Sequence, residues 1–153
     1  MNHELQQLAA RYSADAESHR MLRLRFGLAC ANRVHHLLVE SRAVELLDVL
    51  QAHVEGNVDD AALQAAAVEA ALLANHHRGS KSIDGAGHSA VSATCAVASA
   101  LAGKALDAAE YAAYATVYGY GGYAVSDPDS FASEYVWQVS TFESLAATQF
   151  ANA

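Results

Sequence analysis

Apolar residues along the chain recur with a helical period almost throughout. Leu22, Phe26, Cys30, Arg33 and Leu37 follow one another at spacings of four and three. At 3.6 residues per turn they share one helix face. A short first helix is predicted over Glu4 to Tyr12. Ser13 or Asp15 then serves as N-cap of a longer helix ending near Ser41. The next helix, Val44 to Val54, stops at Gly56, a residue suited to a left-handed cap. Asn57, Asp59 or Asp60 opens a further helix that reaches His77 and stops at Gly79.

Residues 79–87, GSKSIDGAG, form the clearest loop signal. Two small-residue helices follow, about Ala86 to Ala102 and Ala105 to Tyr118, separated by Gly103. Their alanines and serines let backbones approach closely. Gly119, Gly121 and Gly122 end the second and permit positive φ. Asp127 as N-cap with Pro128 at the first helical position starts the last helix, which runs to about Phe150. The expectation is a single all-α domain, a bundle of about six or seven helices with closely packed Ala/Ser-rich central members.

Composition sharpens this picture. Alanine dominates, there is one proline in 153 residues, and the formal net charge is −8. Nucleic acid and anionic membranes are poor partners for such a surface, whereas a basic protein suits it. The most apolar window, Ala90 to Gly103, is too short to span a bilayer. The N-terminus shows no basic segment followed by an apolar run, so a cytoplasmic protein is expected. Cys30 and Cys95 read as buried, reduced thiols.

Catalytic signals are weak. His76 and His77, like His35 and His36, are adjacent and point about 100° apart on a helix. His88 and Cys95 share a face but stand about 10 Å apart along the axis. Neither a zinc-protease motif nor a nucleophile elbow nor a phosphate loop is present. No catalytic residue, metal or cofactor is assigned. The alternative is a small metal-dependent enzyme using Glu69, His76 and His88. A further alternative is a scaffold or ligand-binding module that dimerises through its Ala/Ser faces. His88, Ser92, Cys95 and Ser99 form a weakly polar stripe, read as helix packing. His88 and Arg33 are therefore taken as structural. Arg33 stands on an apolar stripe and requires a carboxylate from another helix.

The strongest asymmetry lies at the C-terminal end. After Lys104 there is no Lys or Arg, but six acidic residues, six of the seven tyrosines and the only tryptophan. Asp107, Tyr111, Tyr114 and Tyr118 share one helix face. Either this stripe packs at the edge of the core, or part of it joins the glycine-rich segment in an acidic, aromatic patch. Tyr and Trp are enriched at interface hot spots, and carboxylates steer cationic partners. The candidate partner-binding residues are Asp107, Tyr114, Tyr118, Tyr120, Tyr123, Asp127 and Asp129. Trp137 and Phe142 read as core.

The order of segments resembles a family. RFGLACANRVHHLLVE, residues 25–40, is similar to the opening phrase F-A-L-x-C-A-E-R-V-L of the Imm5-like immunity proteins, with Phe26, Leu28, Cys30, Ala31, Arg33 and Val34 in place. Ala29 and Asn32 stand where acidic residues are often found. LQAHVEGNVDDAALQAAAVEAALLANHH, residues 50–77, resembles the family's Gly-broken helix pair. GAGHSAVSATCAVASALAGKALDAAEYAAYA, residues 85–115, resembles its Ala-Gly-His signature, with His88 on the first histidine. The resemblance spans roughly residues 25–118. It implies an all-α protein that neutralises a cognate toxin in bacterial competition; the expectation drawn from it is a protein that acts by binding and is not an enzyme. It names neither the toxin nor the contacts.

Overall fold

A computed structural model describes residues 1–78 and 85–151. Among them are seven α-helices and no strand. They are α1 (His3–Arg11), α2 (Arg20–Arg33), α3 (Ser41–Val54), α4 (Asp60–Arg78), α5 (Gly85–Leu101), α6 (Ala105–Tyr118) and α7 (Ala132–Ala151). Short 3₁₀ turns occupy Glu17–His19, His35–Leu37, Ala124–Ser126 and Pro128–Phe131. Most of the loop expected over residues 79–87 lies outside the described residues, and its last three positions belong to α5. No helix among the described residues is long and apolar enough to cross a membrane.

The central helix is α5, against which α2, α3, α4 and α6 all pack. Small residues make this crowding feasible. Ala90, Ala93, Ala96 and Ala100 are buried along it, together with Ser89 and Thr94. Thr94 Oγ1 donates back to the Ala90 carbonyl at 2.9 Å, and Ser89 Oγ donates across to Ala115 of α6 at 2.9 Å. A backbone carbonyl accepts from each of these hydroxyls. The Ala/Ser-rich helices α5 and α6 thus pack closely on each other within one subunit, as expected of central members of the bundle.

Two layers of core meet at α2. Leu22, Phe26 and Cys30 face α1, α6 and α7 in a cluster that includes Leu5, Leu8 and Phe142. Leu24, Leu28 and Ala31 face the second cluster, built with Leu46, Leu50, Leu63, Val97 and Leu101. A helix buried on both sides loses the one-sided pattern of a surface helix. Only the first of its faces was legible in the spacing.

Gly27 marks the crossing of α2 over α5. A Cβ built on it would lie 3.1 Å from the Ala100 Cα and 3.2 Å from the Ala100 Cβ. Ala100 is 0% exposed on a helix packed from several sides, so it has no room to retreat. Gly27→Val is expected to destabilise the fold by about 1–3 kcal/mol through overpacking. Urea unfolding of this variant checks it, an unchanged midpoint counting against a tight crossing.

The helix boundaries hold instructive differences. Ser13 does not start α2. It ends α1, at φ +51°, with Ser13 N–H bonded to Ala10 O (3.0 Å) and Ala14 N–H to Ala9 O (2.9 Å). That is the Schellman pattern, with serine where glycine is usual. Gly56 and Gly103 close α3 and α5 by the same pair of bonds. α2 begins only at Arg20 and ends at Arg33, well short of Ser41. The switch to extended backbone at Leu38 (φ −70°, ψ 129°), after the 3₁₀ turn, lets the adjacent Leu37 and Leu38 both pack on the core. On a continued helix they would diverge by about 100°. Asp59 caps α4 through Ala62 N–H (2.9 Å), and Asp127 caps the turn that leads into α7 through Asp129 N–H (3.1 Å).

Candidate functional site

The segment between α6 and α7 is a run of turns stabilised from beneath. Ala113, Val117, Ala124 and Phe131 form a small apolar cluster under it. Gly119 caps α6 with ordinary helical backbone, φ −64°. Of the three glycines expected to permit positive φ here, Gly121 alone adopts it, at +133°. A Cβ at Gly121 would meet the Tyr123 ring at 2.9 Å. The glycine therefore both turns the chain and seats that ring.

This fold separates the tyrosines into two groups. Tyr114 and Tyr118 are half-buried and join an aromatic series along the edge of the core. The His88 ring stacks on Tyr118 at 4.9 Å between centroids, Tyr118 lies 6.1 Å from Tyr114, and Tyr114 meets Phe131 edge-on at 5.2 Å. Phe131 continues the series to Tyr135 at 5.6 Å. Tyr120 and Tyr123, in contrast, are 55% and 83% exposed. Asp127 and Asp129 are exposed on the same connecting segment.

Asp107 does not join them. It lies eleven residues before Tyr118, about 16 Å along the axis of α6. It lines a cleft of about 520 Å³ with Gln6, Asp15, Arg23, Lys104 and Phe142. Sharing a helix face placed it in line with the tyrosines, not beside the joint.

His88 also departs from expectation. Ser92 and Cys95 of its stripe are buried, but His88 itself is exposed. It occupies the first turn of α5, where the last turn of α6 offers a tyrosine face rather than a closed interior. Its ring forms the rim of the tyrosine patch. Trp137 is half-buried, while Phe142 is core at 1% exposure.

An ion pair joins α2 to α7. Arg33, the last residue of α2, donates to Glu134 in the first turn of α7 through Nε (2.8 Å) and NH2 (2.9 Å). The guanidinium also lies 4.4 Å from the centroid of Trp137. Glu134 and Trp137 are three residues apart, hence on one face of α7. The carboxylate side chain is 6% exposed and the arginine side chain 35%. So the buried member is the glutamate, whereas the sequence pointed to a buried guanidinium. The Glu134 hydrogen bond raises the affinity of Arg33 for its protons; burial opposes this, and Tyr120 adds a lesser electrostatic contribution.

Two other groups hold their protons more tightly than usual. Burial is the main cause at Cys30, with Arg33 opposing and Glu134 reinforcing. At Tyr135 desolvation leads, followed by Tyr114 and Glu110. Nothing in the sequence singled out Tyr135. Both folded pKa values exceed the unfolded ones. Their contributions are full below the unfolded pKa and are lost as pH rises above it, from about 8.5 for a thiol and about 10 for a phenol. Stability in urea is expected to fall as pH is raised through this range, with Tyr135→Phe removing the later part of the decline. A Tyr135→Phe profile identical to the wild type would contradict this.

Glu69, His76 and His88 do not converge. Glu69 binds Arg42, accepting from both Nε and NH2, and the guanidinium also reaches Glu45 at 2.8 Å. Among the described residues no three His, Cys, Asp or Glu side chains form a group able to hold a metal ion. No family model matches the sequence, and neither a curated protein nor a solved structure shows significant similarity to it.

Proposed function

We propose that this protein is a toxin-neutralising immunity protein that acts by binding. The observation that carries this reading is the exposure of Tyr120 and Tyr123 beside Asp127 and Asp129, on a segment with no Lys or Arg after Lys104. Two large rings held out by a glycine turn lose little rotamer entropy on contact and bury much area. The surrounding carboxylates attract a basic face and speed encounter. The resemblance of residues 25–118 to Imm5-like immunity proteins supplies the kind of partner: a cognate toxin with a basic surface, bound in the cytoplasm of the producing cell.

The clamp of Arg33, Glu134 and Trp137 has a positioning role in this reading. It fixes the start of α7 against the end of α2, and so holds the end of the α6–α7 segment that leads into α7. A preformed surface binds with less ordering cost than a mobile loop.

The test is affinity capture of the toxin encoded beside this gene. Wild-type protein is expected to retain it in weak salt and to release more of it in strong salt. Tyr120→Ala combined with Asp127→Ala is expected to reduce capture, most clearly in strong salt. Undiminished capture by that variant in both salts removes this patch from the interface.

A further inference from the structure

The cleft of about 520 Å³ lies at the opposite end of α6 from the tyrosine joint, where the end of α1 meets the α5–α6 junction. Ala9, Ala14, Ala105 and Phe142 form its floor, each at most 8% exposed. Three of the four are alanines, whose short side chains leave the space open. The volume falls in the range of small-molecule sites, about 300–1,000 Å³.

Four charged side chains line the same cleft. Asp15 and Arg23 come from the α1–α2 side, Lys104 and Asp107 from the start of α6. Each side thus brings one cation and one carboxylate. Yet among the described residues none of the four closes an ion pair. Arg23 NH1 donates to the carbonyls of Ala14 (2.7 Å) and Ala16 (2.6 Å). Those bonds hold the guanidinium in place without neutralising it, and its Nε and NH2 make no hydrogen bond among the described residues. Ser13 stands on the rim at φ +51°. Glycine makes the equivalent cap of α3 and α5 with less strain. The serine brings the cleft a hydroxyl that glycine lacks.

We propose that this cleft binds an apolar α-amino acid. Arg23, Lys104 and the Ser13 hydroxyl take its carboxylate, Asp15 and Asp107 take its ammonium group, and its side chain lies on the alanine and Phe142 floor. Charge selects the class. A simple anion would meet two carboxylates and would approach a chain of net charge −8. A simple cation would meet Arg23 and Lys104. A molecule carrying both signs has no net charge to be repelled and gives every lining charge an opposite partner. A polar side chain would lose water on this floor without gaining a hydrogen bond.

NMR titration of protein labelled at its alanine methyls, with L-phenylalanine and L-leucine, reads both affinity and place. Saturable shifts are expected at Ala9, Ala14 and Ala105. Phenethylamine lacks the carboxylate and 3-phenylpropionate lacks the ammonium group. Each is expected to bind at least about 10-fold more weakly than phenylalanine, because each leaves two lining charges without a partner. Lys104→Gln, an exposed position, is expected to weaken phenylalanine binding about 5-fold or more, with helical circular dichroism unchanged. Ser13→Gly is expected to raise the urea midpoint while lowering the affinity, an opposition that a merely structural serine would not produce. Absence of saturable shifts at these methyls with either amino acid would overturn the proposal. So would equal affinity for either truncated probe, or wild-type affinity in both variants. Toxin capture does not enter this titration, so its outcome bears on the cleft alone.

Discussion

Arg33→Ala is expected to destabilise the protein by about 2–4 kcal/mol, less than the loss of a partner in a fully buried pair because the guanidinium is partly exposed. The size follows from the asymmetry of the clamp. Glu134 is the member removed from water, at 6% side-chain exposure, and both of its oxygens accept from Arg33. Truncation of the arginine would strand that carboxylate and also uncover Trp137, over which the guanidinium lies. Arg33→Lys is expected to recover only part of the loss, since an ammonium cannot supply the two-pronged bond or the flat face. Replacing both partners, as Arg33→Met with Glu134→Leu, is expected to come close to wild type, because no charge remains to be buried. Urea midpoints at constant slope measure all three. A loss below about 1 kcal/mol for Arg33→Ala, the range of exposed pairs, would mean that water reaches the glutamate.

The largest effect on binding is expected from the joint loss of Tyr120 and Tyr123. A tyrosine that acts as an interface hot spot costs about 2 kcal/mol or more on truncation, and such losses do not simply add. Tyr120→Ala with Tyr123→Ala is therefore expected to weaken toxin binding by at least about 100-fold, mainly through faster dissociation. Folding stability should change little, because both rings are more than half exposed. Asp127→Asn with Asp129→Asn is expected to act differently. It should slow association and flatten its dependence on salt, while dissociation stays near wild type. Surface plasmon resonance at two ionic strengths separates the two patterns. Unchanged dissociation in the tyrosine variant would place the contact elsewhere.

Much of this architecture was visible in local chemistry. Gly56 and Gly103 signalled helix ends because few other residues adopt the left-handed conformation without strain. Asp127-Pro128 signalled a helical start through a capping carboxylate and a fixed φ, although it opens the 3₁₀ turn before α7 and not α7 itself. Ser13 was misleading because serine is the preferred N-cap, and nothing local distinguishes a serine that starts a helix from one that ends the preceding helix. The second buried face of α2 was hidden because Leu24, Leu28 and Ala31 interleave with Leu22, Phe26 and Cys30, which blurs the helical period.

The candidate site was legible in its residue types more than in its geometry. Arg33 demanded a carboxylate from another helix, and Glu134 of α7 supplies it. Which carboxylate could not be read, because helix adjacency is set by packing over a hundred residues of chain. The tyrosines were recognisable as a group, but their division was not. Tyr114 and Tyr118 are drawn into the aromatic edge by Phe131 and His88, whereas Gly121 turns Tyr123 outward. Asp107 was grouped with them because angular position on a helix is easy to compute, while distance along its axis decides what touches.

The most direct measurement is growth of a sensitive bacterial host that expresses the neighbouring toxin together with this protein. Wild-type protein is expected to restore growth, and Tyr120→Ala with Tyr123→Ala, produced at the same level, to leave the cells unprotected. Full protection by that variant, or none by the wild type, would contradict neutralisation through this aromatic, acidic surface.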